Sequence, residues 1–208
     1  MMNRMKSGIT AAAFVAAMGL AAPAEAQMHG NDQPYGSGHE MPTPDVVRPV
    51  SRDAGSAAED LRLAGKCDKA IPILRRVVNG GGDTEISQFN LGLCLLDLAQ
   101  AEHDAAQQAA DRKEAADWIV RSANAGFAKA QAEAVVLYLD GTGVAADPVE
   151  AKKWALLYHS NPLRFTIALP DIAADISDRL DAALTDAKRA EARARANAWT
   201  KTASATDE

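Results

Sequence analysis

One stretch of this chain repeats itself, and that constrains its fold more than any other feature. Ala115-Ala116-Asp117-Trp118 returns as Ala151-Lys152-Lys153-Trp154, 36 residues later. Between the two copies run Ala123-Asn124-Ala125-Gly126-Phe127-Ala128-Lys129-Ala130-Gln131, then Leu137-Tyr138-Leu139-Asp140-Gly141-Thr142-Gly143-Val144, then Asp147. A period of this length marks a unit of secondary structure too small to bury its own apolar face. Successive units must therefore stack to make a core. An earlier, degenerate copy is present. Gln88–Leu96 aligns with Gln131–Leu139 at an offset of 43, and Lys69-Ala70-Ile71-Pro72-Ile73 stands in for the Ala-x-x-Trp segment at an offset of 45. Where the later copy has Gly-Thr-Gly, the earlier one carries residues 97–113, rich in Ala, Gln and Asp. This insertion is expected to lengthen both flanking helices or to form a protruding loop.

The repeating unit is helical. Apolar residues make up 48% of the 208 residues but aromatics only 5%, and alanine is the main filler. Ala with Leu, Glu, Lys and Arg favours helix, and Val, Ile and Thr rarely alternate as a strand requires. The fold class is all-α. Gly65 should close a helix running from about Ala57 to Ala64, with Cys67–Val78 next. Pro72 falls inside that second helix, which argues for a start a few residues later. Asn79-Gly80-Gly81-Gly82 ends it, and Asp83 can cap Thr84–Ala99. Asp147-Pro148-Val149-Glu150 combines an N-cap, a first-turn Pro and an acid placed to reciprocate the cap. Asn161-Pro162 and Leu169-Pro170 punctuate the region after that helix, and Pro170–Leu184 and Thr185–Lys201 read as two terminal helices.

The register of small residues, glycines and Trp over Ala115–Tyr158 resembles the Sel-one-like repeat, a relative of the tetratricopeptide repeat. That pattern runs roughly A-x-x-G-x-A-x-A-Q, L-Y-x-x-G-x-G-V, D-x-x-x-A-x-x-W. The resemblance extends over about Ala57–Ser160. It implies a short solenoid of stacked antiparallel helix pairs closed by C-terminal capping helices. Ala128, Ala130 and Ala134 would permit close helix approach, with Trp118, Trp154, Leu137 and Tyr138 filling between layers. It also implies scaffold or adaptor work for a protein or cell-envelope component, through a groove lined by the first helix of each unit. Gln88, Asn90, Gln131 and Glu133 are the candidate partner contacts there, although a Gln at that repeat position can equally serve packing between units. In the aligned repeat Cys67 opens a second helix and Cys94 lies in the first helix of the next unit, so the two are stack neighbours. A disulfide is expected, two buried free thiols being the alternative. Closing that 27-residue loop is worth roughly 3–4 kcal/mol on the chain-entropy account. There is no C-x-x-C spacing of a redox-active pair, and no cysteine pair in each repeat as in the cysteine-dense branch of the family.

The N-terminus belongs to targeting. Met1–Gly8 carries Arg4 and Lys6 without an acid, Ile9–Ala22 is almost unbroken apolar sequence, and Ala24-Glu25-Ala26 has the form of a cleavage site. Residues 1–26 read as a signal peptide, 27–54 as a Pro- and Gly-rich disordered or extended lead-in, 55–160 as repeats and 161–208 as capping helices and tail. The apolar run is too short to favour a membrane span, and nothing after it is long enough. A periplasmic or secreted product is expected, whose oxidising surroundings suit a disulfide. Cleavage after Ala26 takes the formal charge from −6 to −7. Such a protein has no global attraction for nucleic acid or anionic lipid.

No catalytic constellation is visible. His29, His39, His103 and His159 lie outside any H-E-x-x-H, zinc or nucleophile-elbow context. Gly80-Gly81-Gly82 lacks the Lys-Ser/Thr of a phosphate loop, and Glu59-Asp60 reads as first-turn dipole partners. No enzyme activity and no cofactor are expected. An alternative function is metal binding by the N-terminal segment. Cleavage before Gln27 would expose Gln27-Met28-His29, whose amine, amides and imidazole can form a square-planar site for copper(II) or nickel(II). His39 and Met41 could add ligands, and cyclisation of Gln27 would remove the amine.

Overall fold

The computed structural model describes residues 52–81 and 84–202. The signal segment, nearly all of the lead-in and the Asp83 cap fall outside the described residues. The described residues hold nine helices and no strand: α1 (Arg52–Leu63), α2 (Cys67–Val78), α3 (Glu85–Ala101), α4 (Ala105–Asn124), α5 (Ala128–Asp140), α6 (Pro148–Ser160), α7 (Pro162–Thr166), α8 (Ala174–Ala182) and α9 (Asp186–Ala198). The first six form consecutive pairs, each packed on the next, and α8 and α9 lie against α6.

Local chemistry sets most of the boundaries. Gly65, Gly126 and Gly141 adopt positive φ just past α1, α4 and α5, the conformation a helix end requires and only glycine takes freely. Asp147 starts α6 as expected, its carboxylate accepting from the N–H groups of Val149 and Glu150 at 2.9 and 3.1 Å. Glu150 does not close the reciprocal half of that cap. It turns instead to Lys153 and Arg195, and the Asp147 N–H donates to the Tyr138 carbonyl. Pro72 does not delay α2 either. The hydrogen bond it forfeits is to the carbonyl of Asp68 in the first turn, beside solvent, where the loss costs little.

The 97–113 insertion lengthens both helices. α3 reaches Ala101, and α4 begins at Ala105 after a short break in which Asp104 accepts from the Gln107 N–H at 2.8 Å. The C-terminal region is broken more finely than expected. Asn161 caps the short α7 through the Leu163 N–H, and a non-helical connection leads to α8, so that helix starts at Ala174 rather than Pro170. Tyr158 holds this connection by donating to the Pro170 carbonyl at 2.5 Å.

Two apolar clusters share α3 and α4. Ala58, Cys67, Ala70, Leu74, Val78, Leu91, Cys94, Leu95 and Ala115 form the N-terminal one. Phe89, Ile119, Val135, Leu137, Trp154 and Leu157 belong to the other, closed at its far side by Leu180, Leu184 and Ala192. Because α3 feeds both, it is apolar nearly all round. Gly92 allows α3 to lie tight on α4, where an added Cβ would fall 2.5 Å from Ile119. Gly143 does the same for the turn after α5, since its missing Cβ would sit 2.0 Å from the Arg112 carbonyl oxygen. Cys67 and Cys94 are joined in a disulfide with Cα atoms 5.1 Å apart, tying α2 to α3 inside the first cluster.

Candidate partner-binding surface

Helical spacing groups the partly exposed positions of α3 on one stripe. Ile86, Asn90, Leu93 and Asp97 follow each other at i, i+4, i+7 and i+11, which places them on one face. The other sides of the helix, through Ser87, Gln88, Phe89, Leu91, Cys94 and Leu95, are buried. Ile86 is 49% exposed, Leu93 is half-buried and Asp97 is exposed. The offset of 43 carries this stripe onto Lys129, Glu133, Val136 and Asp140 of α5. Ala130, Gln131, Ala134, Val135 and Leu137 are buried there, while Lys129 and Asp140 are exposed and Glu133 and Val136 half-buried. The first helices of two successive units thus present aligned faces, with an aliphatic residue at Leu93 and Val136 and an acid at Asp97 and Asp140; the α5 face adds Lys129 and Glu133 where α3 has Ile86 and the buried Asn90.

Electrostatics along these faces are uneven. Asn90 is covered, its Oδ1 accepting from the Arg62 Nε of α1 at 2.8 Å. Glu133, at the equivalent place in α5, has no hydrogen bond or ion pair with any described residue, and burial pushes its carboxyl above the usual range. Asp140 is paired with Arg179 of α8.

The residues singled out in the sequence divide accordingly. Gln88, Asn90 and Gln131 are each only 1% exposed, so they are interior side chains and offer no surface to a partner. The packing role wins because the position faces the junction between units. Gln131 accepts from Asn161 Nδ2 at 2.8 Å and donates to the Ala123 carbonyl, joining the starts and ends of three helices. Gln88 donates to Thr84 Oγ1, and its own Oε1 is buried without a partner among the described residues. Glu133 alone keeps an accessible side. Ile86, Leu93, Val136 and Arg62 were missed; reading the stripe spacing along α3 and α5 would have found the first three.

A second recess lies where α4 meets α5. It encloses about 390 Å³ and is lined by Asp117, Val120, Arg121, Asn124, Tyr138, Val144 and Thr202. The segment after α9 closes one side of it. Trp199 Nε1 donates to Asn124 Oδ1 at 3.1 Å and the Thr202 N–H donates to the Asn124 carbonyl at 3.0 Å. Tyr138, expected in the core, stands half-exposed on its wall. Burial raises its phenol above the ordinary value, and the charges of Glu150, Asp147 and Asp117 add to this. Elsewhere, His159 faces Asp171 at 3.8 Å with both side chains 73% exposed. No group of three His, Cys, Asp or Glu side chains among the described residues could hold a metal ion. Met28, His29, His39 and Met41, the candidate metal ligands, lie outside the described residues.

No family model matches the chain, and no curated protein does. A solved structure does match: a protective antigen present in uropathogenic Escherichia coli strains, described as displaying an SLR fold. The match has a TM-score of 0.55 at 21% identity, and covers 70% of this chain and 29% of that one. The chain has the Sel-one-like repeat fold. Within it, the sequence repeat relates α3 to α5 and α4 to α6, and the aligned stripes lie on the first helix of each of these pairs. This chain spans less than a third of the antigen's length, and at that identity the likeness is one of fold. No helix among the described residues is long and apolar enough to cross a membrane.

Proposed function

We propose that this protein is an exported interaction scaffold that binds a protein segment along the outward stripes of α3 and α5. The observation that carries this reading is the pair of aligned faces, with Ile86, Leu93 and Asp97 open on α3 and Lys129, Glu133, Val136 and Asp140 open on α5, on helices whose remaining sides are largely packed. α1 and α3 lie directly against each other, whereas α3 and α5 are held chiefly through α4. Aliphatic centres with charged ends suit a peptide or helix that buries a few apolar side chains and pairs its own charges at the rim. A protein that binds in this way needs no catalytic group. Export to a periplasm is supported by the N-terminal sequence and agrees with a buried disulfide between α2 and α3.

The test compares proteins retained from envelope extract by the intact chain and by a Leu93→Asp, Val136→Asp variant. A partner held by the first and lost by the second, with the helical signal unchanged, supports the scaffold. A partner retained equally by both would remove these stripes from the binding site.

A further inference from the structure

The two layers of first helices treat equivalent positions differently. Asn90 and Glu133 stand 43 residues apart, at the same place in successive repeats. The oxygen of Asn90 is taken by a guanidinium that reaches across from the preceding first helix, Arg62 Nε to Oδ1 at 2.8 Å. Glu133 offers the stronger acceptor, a carboxylate, yet its preceding first helix is α3, which reads EISQFNLGLCLLDLAQA and contains no Lys or Arg. No guanidinium arrives. Lys129, one turn before Glu133 on α5, is exposed and makes no ion pair with it. Arg179 is committed to Asp140, and Asp97 adds only further negative charge to this face. A carboxylate partly withdrawn from water without a counter-charge is costly. An incoming cation that hydrogen-bonds it recovers that cost, and charge-assisted bonds of this kind are strong.

We infer that the partner is a basic peptide segment which supplies an arginine or lysine side chain to Glu133, in the place Arg62 occupies over Asn90. Its apolar residues would rest on Leu93 and Val136. This rests on the stripes being the binding surface. Burial already holds the Glu133 carboxyl up, so the arriving cation also shifts it back toward the ionised form.

A display library of random twelve-residue peptides selected on the intact, oxidised protein tests this, with affinities read by fluorescence anisotropy. Selected peptides are expected to share a Lys or Arg. Replacing that residue with Gln, or Glu133 with Gln, should each weaken binding about tenfold, and the two changes together should cost little more than one. Glu133→Gln removes a desolvated charge, so a fall in affinity with an unchanged or raised melting temperature separates recognition from folding. Peptides that bind Glu133→Gln within about twofold of the wild type but are lost on Val136→Asp would overturn the charge pairing and leave the surface standing. Peptides indifferent to both substitutions, or no selected peptide at all, would overturn the surface as well.

Discussion

At the scale of single residues, glycine and glutamate positions carry the sharpest consequences. Gly65 and Gly143 both adopt positive φ, but only Gly143 also lies against backbone, its missing Cβ directed at the Arg112 carbonyl. Gly65→Ala should cost about 1 kcal/mol, the conformational penalty alone, and Gly143→Ala more than about 2 kcal/mol, measured by urea denaturation. Equal losses would mean the α5–α6 turn does not rest on α4. Glu133 has a folded pKa raised above its ordinary 4.5 by burial, so its protonated form is the one the fold favours. Its contribution is therefore most favourable at low pH and is lost as pH rises from the unfolded value through the folded one. Glu133→Gln should raise the melting temperature near pH 7.5 and change it little near pH 4. A melting temperature lowered at both would show that the carboxylate has a partner. Which polar residues faced outward was not legible in the sequence. Gln88 and Gln131 look like groove residues in a repeat alignment, and only the contacts of Gln131 with Asn161 and Ala123 reveal them as packing.

At the scale of elements, the helix pairs were legible where a boundary has its own chemistry, a cap, a first-turn proline or a glycine at positive φ. Cys67–Val78 is a helix over its full span, without the later start that Pro72 argued for, and Asp147-Pro148 opens α6 as its cap and first-turn proline require. What escaped the sequence was tertiary. The extended connection before α8 depends on Tyr158 reaching Pro170, and on Arg164 pairing with Asp171. The lengthening of α3 and α4 depends on the two helices supporting each other along the inserted turns, with Gln108 donating to the Ala99 carbonyl at 2.9 Å. The first pair is the element most dependent on a covalent link. α1 and α2 share a small cluster, and Arg75 adds only a half-exposed bidentate ion pair with Glu114 at 2.5 and 2.9 Å. Cys67→Ala, Cys94→Ala should lower global stability by roughly 3–4 kcal/mol and speed amide exchange in α1 and α2 more than in α5 and α6. Uniform acceleration across all helices would show that the repeats unfold as one unit.

At the scale of the whole molecule, the described repeats form a stack whose one end is closed by α8 and α9, and the segment after α9 returns to α4. Arg195 of α9 reaches both Asp147 and Glu150 at 3.1 Å, and Trp199 and Thr202 bind Asn124. This closure hides the apolar residues of α6 and leaves Ile86, Leu93, Lys129, Glu133 and Val136 of the α3 and α5 stripes at least partly open to solvent. That this surface serves a partner is our proposal. It is tested most directly by placing a photo-crosslinking amino acid at Leu93, Val136 and, as a control on the exposed side of α9, Ala190, then irradiating living cells. A discrete adduct at Leu93 and Val136 but not at Ala190 is the predicted result. Adducts at Ala190 alone, or none at either stripe position, would contradict it.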